Sequence, residues 1–274
     1  MTELREVAPE SKMLVCTEAN AGRVAAMLDC GPSAFVHGTA LPVGWHFFQL
    51  AGETTRSSLR PDGFSCLDFP DIGLPRLMLG GREVQYLDAI PIGFRVRRES
   101  SLASLARKES ISGPMAVATI RHQLQPLEAI APAVVETQTY ILLSDGPFRP
   151  TQTDVFQTVR ADISKVLIPD EIMLFQYSAL GFNSHRIHID RNYARDVEGY
   201  PDLVVNGGLT TILLTDLLRN EVGVVPKAIK VRHLAPLFCG QPITLAANRD
   251  GGGWRLAAHD DRGAKAVELK VSIQ

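Results

Sequence analysis

The run NGGLTTILLTDLL, from about Asn206 to Leu218, constrains the fold most. Wound as a helix it is apolar on nearly every side, so it suits enclosure by a sheet better than a place on a surface. Such a central helix needs strands to wrap it. Its start carries Asn206, Gly207 and Gly208, where missing β-carbons let a ligand approach the unpaired N–H groups of the first turn. Those donors and the positive end of the helix dipole stabilise an anionic oxygen. Taken alone, the glycine pair fits tight turning or packing better.

The wrapping material is present twice. In the first half, TEANAGRVAAMLDC reads as a helix and WHFFQLAG as a short buried one. Strand-like REVQYLD, FRVRRESSLASLARKESIS, MAVATIRHQL and AVVETQTYILL follow, punctuated by turn signals at Ala89 to Gly93 and at Ser112-Gly113-Pro114. After SDGPFRPTQTD, a linker-like stretch, the second half gives a strand, the apolar helix, and then PKAIKVRHLAP, QPITLAA, WRLAAHD and AKAVELKVSI as strands. The recurrence predicts an α+β protein of two units, 1–150 and 151–274, each wrapping a curved antiparallel sheet around one helix.

Charge and composition exclude several classes of function. A formal net charge of -2 leaves no basic field to hold nucleic acid or a membrane surface. No apolar stretch is long enough to span a bilayer, and MTELREVAPESK lacks the apolar core of a signal peptide, so a cytoplasmic protein is expected. The four cysteines, Cys16, Cys30, Cys66 and Cys239, are scattered without metal or redox spacing. The chain has no G-x-G-x-x-G after a strand, G-x-x-x-x-G-K, G-x-S-x-G or H-E-x-x-H, which removes dinucleotide, nucleotide, serine-hydrolase and zinc-protease readings.

What remains is the polar cluster before the helix, YSALGFNSHRIHID, with Asn183, His185, Arg186, His188 and Asp190. His185, His188 and Asp190 suit a metal in chemistry but not in spacing, and acid–base use fits better. Asp190 reads as the cap of the helix DRNYARDVE.

The stretch from Tyr177 to His188 resembles the hydratase motif of R-specific enoyl-CoA hydratases and MaoC-like dehydratases, which pair an Asp with a His five positions on. Asn183 and His188 occupy those two positions. S-A-L-x-F-N-x-H-R-I-H-x-D followed by GYPDLVVNGGL is similar to one branch, the mesaconyl-C4-CoA or itaconyl-CoA hydratases and the 3-hydroxyacyl-thioester dehydratases, in which Asn already replaces Asp. LPRLMLGG, the Lys108 to Pro114 turn and RHLAPLFCGQPI look like the same branch.

The resemblance implies a double hot-dog whose N-terminal half has lost the catalytic motif. It implies reversible hydration of an enoyl thioester carried by coenzyme A or acyl carrier protein, with no metal or redox cofactor, in a homodimer. A dicarboxylic acyl group such as mesaconyl or itaconyl falls within it. His188 would be the base, Asn183 would hold the water, and the Gly207 N–H would receive the thioester oxygen. His185 and Arg186 orient the site or bind a distal carboxylate, or are solvated or structural groups. With Asn183 unable to accept a proton, an acid limb near about 6.5 is expected from an unperturbed His188. The branch usually carries His-Gly-Pro where this chain has Asn206-Gly207-Gly208, which suggests altered substrate choice or reduced activity. The alternatives are a non-catalytic acyl-thioester-binding hot-dog and a hot-dog thioesterase; the retained Asn183/His188 spacing favours the hydratase.

Overall fold

The computed structural model describes residues 9–65, 72–110, 113–144, 146, 148 and 156–273. Among these residues ten strands form a single antiparallel sheet: β1 (Glu10–Val15), β2 (Arg76–Tyr86), β3 (Arg95–Ser110), β4 (Gly113–Pro126), β5 (Val134–Leu143), β6 (Ile163–Leu167), β7 (Ala228–His233), β8 (Ile243–Asp250), β9 (Gly253–His259) and β10 (Lys265–Ser272). Three α-helices accompany them, α1 (Glu18–Met27), α2 (Glu171–Leu180) and α3 (Gly207–Leu217).

The strand order is β1-β3-β4-β5-β2-β7-β10-β9-β8-β6. Read inward from each edge, β1-β3-β4-β5-β2 matches β6-β8-β9-β10-β7, so the two halves share one topology and meet at β2 and β7. That seam is a ladder from Gly81 opposite Arg232 to Gln85 opposite Ala228. The repeat expected from the sequence is therefore present, joined edge to edge. The boundary expected at 150/151 falls outside the described residues.

The C-terminal half wraps α3 as its composition requires: Leu209, Ile212 and Leu214 are fully buried and pack with Leu245, Leu256 and Leu269 of the sheet. The N-terminal half differs. Between β1 and β2 the described residues form α1 and three short 3-10 turns, Pro32–Ala34, Trp45–Gln49 and Arg56–Ser58, with Trp45–Gln49 in place of a long central helix. Trp45, His46 and Phe47 of that turn are buried, which agrees with a short buried helix at WHFFQ. β1 escaped the sequence reading, because ESKMLV is an edge strand whose polar residues hide its alternation. β2 begins earlier than REVQYLD, at Arg76. Arg98 on β3 is buried; it donates to the Gln49 and Ala51 carbonyls and pairs with Glu10.

Residues 151–274 expressed alone would expose the β7 edge and the apolar surface meant for the first half. They are expected to aggregate or to be inactive, as size-exclusion chromatography and turnover would show. A soluble, monomeric and fully active fragment would contradict this dependence.

Candidate active site

The site is built from two turns and a helix start. α2 ends at Leu180, and Phe182 then takes a left-handed conformation (φ 47°) that carries the chain into Asn183. The Asn183 side-chain oxygen accepts from the His185 N–H, and the His188 N–H donates to the His185 carbonyl, which closes a 3-10 turn over Arg186–His188. This turn is docked on the N-terminal half: Ser184 Oγ donates to the Gly63 carbonyl at 2.6 Å and the Arg186 N–H to the Asp62 carbonyl at 2.8 Å. Gly63 has φ +78°, and a β-carbon there would stand 2.3 Å from the Ser184 carbonyl oxygen, so the approach requires glycine.

Val204 joins the turn to α3. Its N–H donates to the Ile187 carbonyl, and its own carbonyl accepts from His188 Nδ1 at 2.7 Å. That bond fixes the neutral tautomer with Nδ1 protonated and Nε2 free to accept a proton. Two residues later Asn206 precedes α3, and the first N–H to reach back within the helix is that of Thr210, to the Asn206 carbonyl. The N–H groups of Gly207, Gly208 and Leu209 are thus the open donors of the first turn.

Asn183, His185, His188, Asn206, Gly207 and Gly208 all line one cavity of about 340 Å³. Arg186 does not. Its guanidinium bonds Asp190 (2.7 Å) and lies over the Tyr193 ring, half-exposed, which leaves it a structural and solvated role. Asp190 also accepts from the Tyr193 N–H, as a helix cap does. Among the described residues no cluster of His, Cys, Asp and Glu could hold a metal.

Much of the cavity wall comes from the N-terminal half and was missed. Arg82 on β2 and His122, Gln138 and Tyr140 on β4 and β5 all line it. The signal was the period of two in VVETQTYILL, in which Val134, Glu136, Gln138, Tyr140 and Leu142 share the buried face. His233 also lines the cavity and packs beside Gly207, where a built β-carbon would lie 2.9 Å from its ring. Gly208 leaves space that the Tyr177 hydroxyl occupies, 1.9 Å from where a β-carbon would be. A proline at 208, as the similar branch carries, would collide with Tyr177.

Burial sets the electrostatics. It pushes His188 down to about 3, assisted by neighbouring His185, against the opposing pull of the Val204 carbonyl. His185 and His122 are pushed down to about 4 and His233 to about 3, again chiefly by burial. The expectation of an unperturbed His188 near 6.5 is thereby corrected: the ring stays neutral far below that pH. Glu136 is the converse. Burial would raise it, but the Arg82 guanidinium and the bond from His46 hold it down to about 2.

These shifts act in one direction on stability. Between about pH 6.5 and the depressed folded values, the unfolded chain binds protons that His122, His185, His188 and His233 refuse, so stability is present above about 6.5 and lost as pH falls toward 4. Each histidine contributes up to roughly 1.4 kcal/mol per pH unit in that window. Glu136 adds a loss in the same sense below about 4.5. The melting temperature is expected to drop by several degrees or more between pH 7 and pH 5 in calorimetry; equal values at both would refute it.

Comparison with known proteins gives the same setting. The model of the family described as hydroxyacyl-thioester dehydratase type 2 matches residues 44–239. The chain is 34% identical over 258 residues to the mesaconyl-C(4)-CoA hydratase of Chloroflexus aurantiacus, covering 93% of this chain and 91% of that protein. Among solved structures, a MaoC-like dehydratase from Phytophthora capsici superposes with a TM-score of 0.70 at 16% identity, over 97% of this chain and 96% of that one. A Mycobacterium tuberculosis protein described as a double hotdog superposes with a TM-score of 0.60 at 10% identity, over 97% of this chain and 95% of that one.

Proposed function

Because the chain belongs to the hydroxyacyl-thioester dehydratase type 2 family, we propose that it adds water reversibly across the double bond of an enoyl thioester, with His188 as the base. The observation that carries this is the 2.7 Å bond from His188 Nδ1 to the Val204 carbonyl, which turns Nε2 into a proton acceptor beside the open N-terminus of α3.

Hydration proceeds by attack of water on the β-carbon. His188 Nε2 takes one proton of that water, its oxygen bonds the β-carbon, and the electron pair of the double bond moves toward the thioester oxygen. The Gly207 N–H and the helix dipole stabilise the charge that develops there. The proton held at Nε2 then passes to the α-carbon, which restores the neutral imidazole and the thioester. Asn183, fixed by its bond to the His185 N–H, orients the water. The acid–base balance closes without a metal or redox group, and coenzyme A enters as part of the substrate. A thioesterase of the carboxylate-and-water kind has less support, since among the described residues no Asp or Glu lines the cavity.

The acyl group we assign is short and polar, on the pattern of the mesaconyl-CoA of the Chloroflexus relative. A homodimer is supported by the exposed Ile172 and Phe175, three apart on α2, with the exposed Ile168 just before that helix. A cytosolic setting is supported by the free thiols Cys16, Cys30 and Cys239, and among the described residues no helix is long and apolar enough to cross a membrane.

Two variants test the chemistry. His188→Ala is expected to lose roughly two to four orders of magnitude in hydration of an enoyl-CoA ester, followed by loss of the conjugated enoyl-thioester absorbance, while circular dichroism stays native. Near-normal turnover would end the assignment. Asn183→Asp introduces a negative charge near the imidazole, favours its protonated form, and should move the acid limb of the pH–rate profile to higher pH. A profile that overlays the parent's would separate position 183 from the catalytic histidine.

A further inference from the structure

Arg82 is a buried cation whose hydrogen-bonding capacity is only partly used. It is 5% exposed, and its guanidinium lies 3.7 Å over the centre of the Phe47 ring. Nη1 donates to Glu136 at 2.9 Å. Nε is buried without an acceptor among the described residues. Nη2 is 3.6 Å from where a β-carbon of Gly208 would stand, one residue past the open N–H of Gly207.

Of the groups around it, Glu136, Gln138 and Tyr140 have partners, whereas Asn206 Oδ1 and His233 Nε2, on residues that also line the cavity, have none among the described residues. Glu136 accepts from Arg82, His46 and Gln138, and Gln138 accepts from the Tyr140 hydroxyl. Glu136 stands behind the wall, and Arg82 is on it. With the cavity histidines neutral, Arg82 is the one permanent charge lining the cavity among the described residues. A half that received only a fatty chain would have no use for a desolvated guanidinium, since burying a charge is costly.

The way Arg82 reaches the cavity points to a built feature. On β2 the inward residues are Leu77 and Leu79 before Gly80, and Arg82 and Val84 after it. The pairing with β5 shifts register between Leu79 and Gly81, so the bulge at Gly80 reverses the alternation and turns Arg82 inward. Gly81 permits the close seam with β7, because a β-carbon there would lie 2.3 Å from the Val231 carbonyl oxygen.

We propose that Arg82 receives the second carboxylate of a short dicarboxylic acyl thioester, through its Nη2 and Nε edge, while the thioester oxygen takes the Gly207 N–H. This rests on the enoyl-thioester reading and narrows it. The guanidinium stands beside the residue that follows Gly207, so only an acyl group of a few carbons reaches both. Arginine suits the task because its planar fork matches a carboxylate and holds its charge at any working pH. Glu136 and the Phe47 ring fix the plane of the fork, and neither Arg186 nor any carboxylate competes for the cavity side among the described residues.

The test is calorimetric binding of succinyl-CoA and butyryl-CoA, saturated esters of equal carbon number that differ in the terminal carboxylate. Wild type is expected to prefer succinyl-CoA by about 10- to 100-fold, the range of a charge-assisted hydrogen bond. Glu136→Gln should keep the preference. Arg82→Met with Glu136→Gln, which leaves no buried charge unpaired, should bring the ratio near one. Arg82→Lys, which keeps the charge and loses the fork, should retain a reduced preference and serves if the double variant does not fold. No preference in wild type, an undiminished preference in the Arg82 variants, or an equal loss of affinity for both esters in those variants would overturn the proposal. Neither ester carries the double bond, so this result is independent of the hydratase reading, which fails separately if wild type does not hydrate crotonyl-CoA or a dicarboxylic enoyl-CoA.

Discussion

The ladder between β2 and β7 is the interaction on which the molecule depends. It joins two topologically equivalent halves into one sheet, from Gly81 opposite Arg232 to Gln85 opposite Ala228. It brings the cavity face of the first half against the start of α3 in the second. Without it the cavity would lose Arg82, His122, Gln138 and Tyr140 from its wall. Glycine at 81 is the condition for that seam, because any side chain would meet the β7 backbone. The second clamp is the Gly63 turn, where the Gly63 and Asp62 carbonyls accept from the Ser184 hydroxyl and the Arg186 N–H and so tie the motif loop to the first half.

Within this frame the two halves have divided their work. The C-terminal half keeps a long enclosed helix, whose open N-terminus and adjoining histidine are the donor and the base in the reaction proposed above. The N-terminal half has reduced the corresponding helix to the 3-10 turn at Trp45–Gln49. Its buried face carries instead a network of Arg82, Glu136, Gln138, Tyr140 and His46. The first half is therefore no apolar filler: it presents a polar wall to the shared cavity, which on the reading proposed above selects the acyl end of the substrate.

Desolvation is the common cause of the site's electrostatics. It holds the histidines neutral, which gives His188 its base form at any working pH, and it makes the unshared edge of Arg82 a strong site for an anion. The same desolvation stores the sensitivity to acid, because every buried neutral histidine favours unfolding once the unfolded chain can take up protons. Activity and acid stability are in this sense two readings of one burial.

The sequence by itself determined the repeat of strands, the enclosure of the run from Asn206 to Leu218, and the five-residue spacing of Asn183 and His188. Each is carried by periodicity, glycine placement or residues near one another in the chain. Tertiary structure alone decided which charges face the cavity. Arg186, inside the motif, turns out to Asp190 and Tyr193, whereas Arg82, about a hundred residues earlier, turns in. Alternation along β2 could not reveal this, because the bulge at Gly80 changes the parity of every residue after it. The depressed acidity of His188 was equally invisible, since it comes from the whole shell of protein that removes water from the ring.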